Sequence, residues 1–269
     1  KKRILSLILA LSMVLSVLPL GAFAAGSTNS KELVMKNGLP DTDGMTLLQG
    51  KRYIGDNWGY DSNTKTLTLT DGTFDFSSTH PQGKTPGTPT TTPVACAIKI
   101  ESSAKITGGT FEKAVTNNGG TIYDGTFNTM VENNVASWGT LGKIAGGAFN
   151  GTVTNKGTIS GGAFNGTVEN SGTISGGAFQ NGCSVTNNGT ITRGTFQNGC
   201  SVTNNSTGKI TGGTFQSGCS VTNKGTIKDN GTFEGKVENY GTIENGTFTY
   251  DVINYNADDA ISSSSGTIE

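Results

Sequence analysis

Side chains able to take part in chemistry are sparse in this 269-residue sequence, which holds one histidine, four cysteines, 19 Lys and Arg, and 20 Asp and Glu. Carboxylates gather loosely at Glu112, Asp124 and Glu132, and again at Asp229, Glu234, Glu238 and Glu244. Cleavage of an acidic polysaccharide needs two such groups as acid and base, or a carboxylate cluster holding calcium beside a Lys or Arg. Asp124, Glu132 and Lys143 are the trio to watch for it. Yet the acidic residues are spread over different places in the repeat described below, so they read as solubilising charges. Between residues 144 and 227 there is no His, no Asp and a single Glu, Glu169. His80 lies in SSTHPQGKTPGTPTTTP with no nucleophile or second ligand near it, and reads as a loop residue. The sequence therefore assigns no catalytic residue, metal or cofactor.

Three of the cysteines, Cys183, Cys200 and Cys219, recur in QNGCSV, QNGCSV and QSGCSV; the fourth is Cys96. Equivalent positions on stacked strands point the same way, which suits a disulfide poorly, and a row of sulfurs does not meet the tetrahedral demand of zinc. They are expected to form a reduced, inward row filling a wider corner.

The outward positions are polar and periodic. An amide row runs Asn128, Asn150, Asn165, Gln180, Gln197, Gln216, and hydroxyls flank a valine at Thr152 and Thr154, Ser184 and Thr186, Ser201 and Thr203, and Ser220 and Thr222. The T-x-T pattern resembles that of ice-binding solenoids, but Glu132, Glu169, Lys236 and Glu238 interrupt the array. A glycan needs regular polar groups and an aromatic platform for a sugar ring. Asn150, Asn165, Gln180, Gln197 and Gln216 offer the first and Trp138 the second; these six are the candidate ligand-binding residues.

What positions them is a repeat. The stretch GTISGGAFNGTVENSGTISGGAFQ, residues 157–180, states one phrase almost twice, and the phrase generalises to I-x-x-G-x-F-x-x-x-V-x-N-x-G-T. Ile recurs from Ile106 to Ile243, Phe from Phe111 to Phe248 and Val from Val115 to Val252, with an Asn two residues after each Val, from Asn117 to Asn254. An earlier, degenerate copy is read in LTDGTF, with Leu69 and Phe74 in the Ile and Phe places and Ile100 and Ser102 in the Val and Asn places, making about ten coils.

A period of roughly fifteen residues, with three apolar positions in short β-prone stretches separated by Gly or Asn, suits one coil of a parallel β-solenoid. The expected fold is all-β: a parallel β-helix, right-handed by the usual crossover preference, whose Ile, Phe and Val point inward as columns about 4.8 Å apart. The Asn column is expected to form a ladder of side-chain amides along one corner. Single coils cannot fold alone, so the array depends on stacking and covered ends.

Around the array, KKRILSLILALSMVLSVLPLGAFA reads as an export signal, residues 1–24, cleaved before Ala25. Residues 25–68 are expected to form an N-terminal β cap, including two β segments around the turn Asp61-Ser62-Asn63-Thr64. The solenoid is assigned to residues 69–256. A loop insertion at 75–97, proline-rich over 77–93, is expected to be thrown out between the Phe and Val faces, and a shorter insertion between Asn134 and Lys143 carries Trp138. The tail 257–269 is read as flexible. After signal removal the chain is mildly acidic, with no basic patch for nucleic acid and no membrane segment.

At WGYDSNTKTLTL followed by coils of the GTFxxxVxNxGTI type, the chain resembles the exported cell-surface β-helix repeat proteins of Gram-positive gut bacteria, of adhesin-like or carbohydrate-binding kind. The resemblance implies a secreted or surface-held scaffold binding a glycan or host polymer. The alternative is a polysaccharide-cleaving β-helix lyase or hydrolase.

Overall fold

The computed structural model describes residues 32–43, 45, 52–54, 57–83, 87–101, 103–255 and 266–268. The export signal assigned to residues 1–24 lies outside them. The chain is a parallel β-solenoid in which a regular coil contributes three short strands, one carrying Val and Asn, one Ile and one Phe, the last two being continuous at Lys209–Phe215 and Thr226–Phe233. The Val strands pair coil to coil in one 13-stranded sheet, while the Ile and Phe strands join in an 18-stranded one. In the regular coils like residues pair with like, for example Val153↔Val168, Ile159↔Ile174 and Phe164↔Phe179, with one register shift between Ile210 and Gly212.

The alternation follows from strand geometry. Successive side chains point to opposite faces, so Thr158-Ile159 and Ala163-Phe164 bury only their second residue, and Ser184-Val185-Thr186-Asn187 buries its second and fourth. Nine phenylalanines from Phe111 to Phe248 stack with ring centroids 4.4 to 5.0 Å apart and planes within 15° of parallel. The coil repeat sets this spacing, because each ring rides on a strand hydrogen-bonded to the next.

Between the Ile and Phe strands the chain must bend under the neighbouring ring. Gly162 does so at φ 106°, where a Cβ would come within 3.0 Å of the Phe149 ring, so neither the conformation nor the space admits a side chain. This explains the fixed glycine just before the Phe strand.

The Asn column is the polar counterpart of the Phe stack. Asn117 to Asn223 are fully buried. Each Nδ2 donates to the Oδ1 of the next coil's Asn at 2.7 to 3.1 Å, from Asn117→Asn133 down to Asn239→Asn254. Each also donates to a corner glycine carbonyl of its own coil, such as Asn170 to Gly172 at 3.2 Å. A buried amide is tolerated because both ends are partnered. The exception is the top of the chain of amides, where Asn117 Oδ1 has no donor.

That exception comes from the first coil, where two expectations fail. Strand 66–69 pairs Leu67 with Ile98 and Leu69 with Ile100, and Ile98 and Ile100 pair with Val115 and Asn117. Leu69 and Ile100 therefore occupy the Asn column, not the Ile and Val columns. Phe74 pairs with Ile106 and so stands in the Ile column, while Val94 bridges to Phe111 in the Phe column. The Leu-to-Phe spacing of LTDGTF imitates the Ile-to-Phe spacing, but hydrogen-bonded pairing sets a different register. Ser102 lies outside the described residues.

The insertion consequently leaves between the Ile and Phe places rather than between the Phe and Val faces. Its described part is also more than an extended loop: Ser78 bridges antiparallel to Pro89, Thr79 N donates to Thr88 O, and Phe76 is buried against Phe74 and Phe111. Above it the hairpin of 35–36 and 39–40 is fastened by Met35 N to Thr79 O and Ala95 N to Gly38 O.

The N-terminal cap includes an antiparallel meander that joins the first coil. Strands 52–54, 58–61 and 66–69 run antiparallel, and Asp61 Oδ1 accepts the N–H of Asn63 and of Thr64 across the expected turn. At the other end residues 266–268 add an antiparallel strand to 246–248, so part of the tail read as flexible is paired. No helix among the described residues is long and apolar enough to cross a membrane.

Candidate functional site

Two outer corners of the coil carry the candidate residues. The first follows the Phe strand. There Asn128 donates to Glu112 at 2.6 Å, Asn150 to Asn128 at 2.7 Å and Asn165 to Asn150 at 2.7 Å, forming an outer amide ladder on the solvent side. Asn150, Asn165 and Gln216 are exposed, and Gln180 and Gln197 half-buried.

The change from Asn to Gln coincides with a longer corner. In the three Gln coils the N–H of Cys183, Cys200 and Cys219 donates to the carbonyl of Gln180, Gln197 and Gln216 at 2.8 to 3.0 Å. Gly182, Gly199 and Gly218, at φ 78 to 82°, supply the left-handed third position that this turn requires.

The extra length sends each Cys inward. All four cysteines are buried and free. Hydrogen bonding to Cys200 and then burial raise the thiols of Cys183 and Cys219, whereas Cys200, receiving both, would ionise first of the three. Burial alone pushes Cys96 up to about 12. Hidden from water, these side chains pack as small apolar residues.

The second corner follows the Asn strand, and it is here that the chain from Asn134 to Lys143 leaves the coil. Val135 bridges antiparallel to Leu141, Ala136 N donates to Thr140 O at 2.7 Å, and Gly139 closes the tip at φ 88°. This small hairpin holds Trp138 out, 56% exposed, over a shallow depression lined by Lys99, Glu101, Asn118, Asn134 and Lys156. Lys99 and Glu101 form an ion pair at 2.6 Å, and Asn134 donates to Asn118 at 3.3 Å.

Trp138 and the amide row thus stand on different corners, and the depression beneath the tryptophan contains none of Asn150, Asn165, Gln180, Gln197 or Gln216. Its polar partners, Glu101, Asn118, Asn134 and Lys156, were missed by sequence reasoning, although their position just after the Val-Asn strand is legible in the repeat frame.

The trio that could have supported cleavage is dispersed. Asp124 caps the N–H of Gly125 after an Ile strand, Glu132 accepts from Thr116 on the outer face of the Val sheet, and Lys143 begins an Ile strand. The His80 ring meets the Thr79 hydroxyl with its Nδ1, at 3.3 Å. Among the described residues no three His, Cys, Asp or Glu are grouped to hold a metal ion.

Comparison with protein-family models, with curated proteins and with solved structures gives no match.

Proposed function

We propose that this chain is a non-catalytic, exported or cell-surface solenoid, adhesin-like in kind, whose outer polar corners hold a glycan or host polymer weakly. The observation that carries the reading is the division of labour within a coil. Inward Ile, Phe, Val, Cys and Asn are used up by packing and by the amide ladder. The groups left exposed include regular amides and hydroxyls, the tyrosines Tyr123, Tyr240, Tyr250 and Tyr255, and a tryptophan that protrudes above a polar depression. A large aromatic held in solvent gains nothing from burial, and an indole beside amides and a lysine is the common means of gripping a sugar ring.

Shallow sites of this kind bind in the millimolar to micromolar range, about 4 to 8 kcal/mol. The test is a glycan array run beside a reducing-sugar release assay on the chain lacking residues 1–24. Retention of glycans without release is expected. Release of reducing ends would instead favour the lyase or hydrolase reading, and a blank array together with no binding by calorimetry would leave only a spacer role.

A further inference from the structure

The Trp138 depression has a direction. Glu101, Asn118 and Asn134 are register partners on successive coils, and Lys156 directly follows Asn155, the partner of Asn133 on the next coil. One polar side chain per coil therefore lines up along the solenoid axis over three coil steps, about 14 Å at about 4.8 Å per step. The spacing is close to the length of one pyranose ring in an extended chain.

The groups have capacity to spare. The Asn134-to-Asn118 bond uses one donor and one acceptor, leaving each amide further N–H and oxygen positions. Among the described residues Lys156 has no anionic partner. Trp138 overhangs this column with its indole in solvent, flanked by exposed Val135 and Leu141.

We infer that this corner binds an unbranched glycan chain lying parallel to the solenoid axis, one ring per coil, with Trp138 stacked on one ring and Asn118, Asn134 and Lys156 bonding the others. The inference rests on the glycan-binding reading above and adds to it the corner, the direction and the minimum length of ligand. Lys156 can donate to a hydroxyl or a carboxylate, so neutral and uronate chains share the required chemistry.

The test is calorimetry with two series of β-1,4-linked oligomers, of glucose and of mannuronate, from the disaccharide to the hexasaccharide. In at least one series affinity is expected to rise about tenfold or more from disaccharide to tetrasaccharide and then level off, as the footprint of three coil steps fills. Trp138→Ala and Asn118→Ala should each weaken the tetrasaccharide at least fivefold while the far-UV spectrum stays unchanged, and Asn165→Ala, on the other corner, should not.

Binding that is equally tight for disaccharide and hexasaccharide overturns the axial chain but leaves glycan recognition standing. So does loss of binding in Asn165→Ala with Asn118→Ala unaffected, which would move the site to the amide row. If neither series binds while the array retains branched or terminal epitopes, the linear-chain inference is wrong. If the array is blank as well, the glycan reading fails with it.

Discussion

Removing one rung of the asparagine ladder should cost very different amounts at its middle and at its top. In Asn170→Ala three principal bonds disappear, Asn155 Nδ2 to Asn170 Oδ1 at 2.7 Å, Asn170 Nδ2 to Asn187 Oδ1 at 2.7 Å and Asn170 Nδ2 to Gly172 O at 3.2 Å, together with a longer contact from the same Nδ2 to Thr190 O at 3.4 Å. Asn187 Oδ1 is also left buried without a donor. In Asn117→Ala two principal bonds disappear, to Asn133 Oδ1 and to Gly120 O, with the equivalent longer contact to Lys143 O at 3.4 Å, so that the long contacts cancel between the two variants. Asn133 Oδ1 loses its donor, but the acceptor that already lacked one, Asn117 Oδ1, is removed at the same time. The number of orphaned acceptors is unchanged. In both cases the corner carbonyl keeps a backbone donor, Thr190 N for Gly172 and Lys143 N for Gly120.

At about 1 kcal/mol per bond and about 1 to 3 kcal/mol per orphaned buried acceptor, Asn117→Ala should cost about 2 kcal/mol and Asn170→Ala about 4 to 6 kcal/mol. The substitution is the same, so the cavity left behind largely cancels in the comparison. Guanidinium titration followed by circular dichroism, with matched slopes for the variants, measures the difference. Equal losses at the two sites would refute the reasoning, because they would mean that the ladder has no direction.

Three further outcomes follow from the same frame. Phe179→Ala, in the middle of the ring stack, should cost about 3 to 5 kcal/mol through the cavity it leaves, and a loss under about 1 kcal/mol by denaturant titration would place the ring outside. Cys183, Cys200 and Cys219 should resist alkylation in the native protein and react only after unfolding, with no mass change on reduction; a disulfide between any two would contradict the thiol row. Gly182→Ala, at φ 82° in the turn before Cys183, should cost about 1 to 2 kcal/mol in thermal unfolding, and a neutral result would show that the turn relaxes at no cost.

The regular coils were legible because their strand positions announce themselves twice, by period-2 alternation within a strand and by recurrence between coils. Ile, Phe, Val and Asn each fall in one column, and all four columns point inward. The first coil was not legible for a physical reason. Leu67, Leu69, Phe74 and Val94 are all apolar, so nothing in their types says which column each fills, and hydrogen-bonded register decides it. The antiparallel contact of Ser78 and Thr79 with Thr88 and Pro89 was hidden because the order of this insertion comes from tertiary contacts, Phe76 on Phe111 and Met35 N on Thr79 O, rather than from local periodicity. At the candidate site, Trp138 stood out as an exposed aromatic in an insertion. That it belongs with Asn118 and Lys156 rather than with Asn150 follows from which strand the insertion leaves, a matter of corner identity that residue types alone do not display.

The claim beneath all of this is that one asparagine per coil is turned inward and bonded to the next, while its neighbours on the outer corners face water. Side-chain amide hydrogen exchange, read by NMR on labelled protein, tests it most directly. The Nδ2 protons of Asn133, Asn155, Asn170, Asn187, Asn204 and Asn223 should exchange orders of magnitude more slowly than those of Asn150 and Asn165 on the solvent side. Exchange of the inner set as fast as the outer one would contradict the stacked ladder and the coil frame built on it.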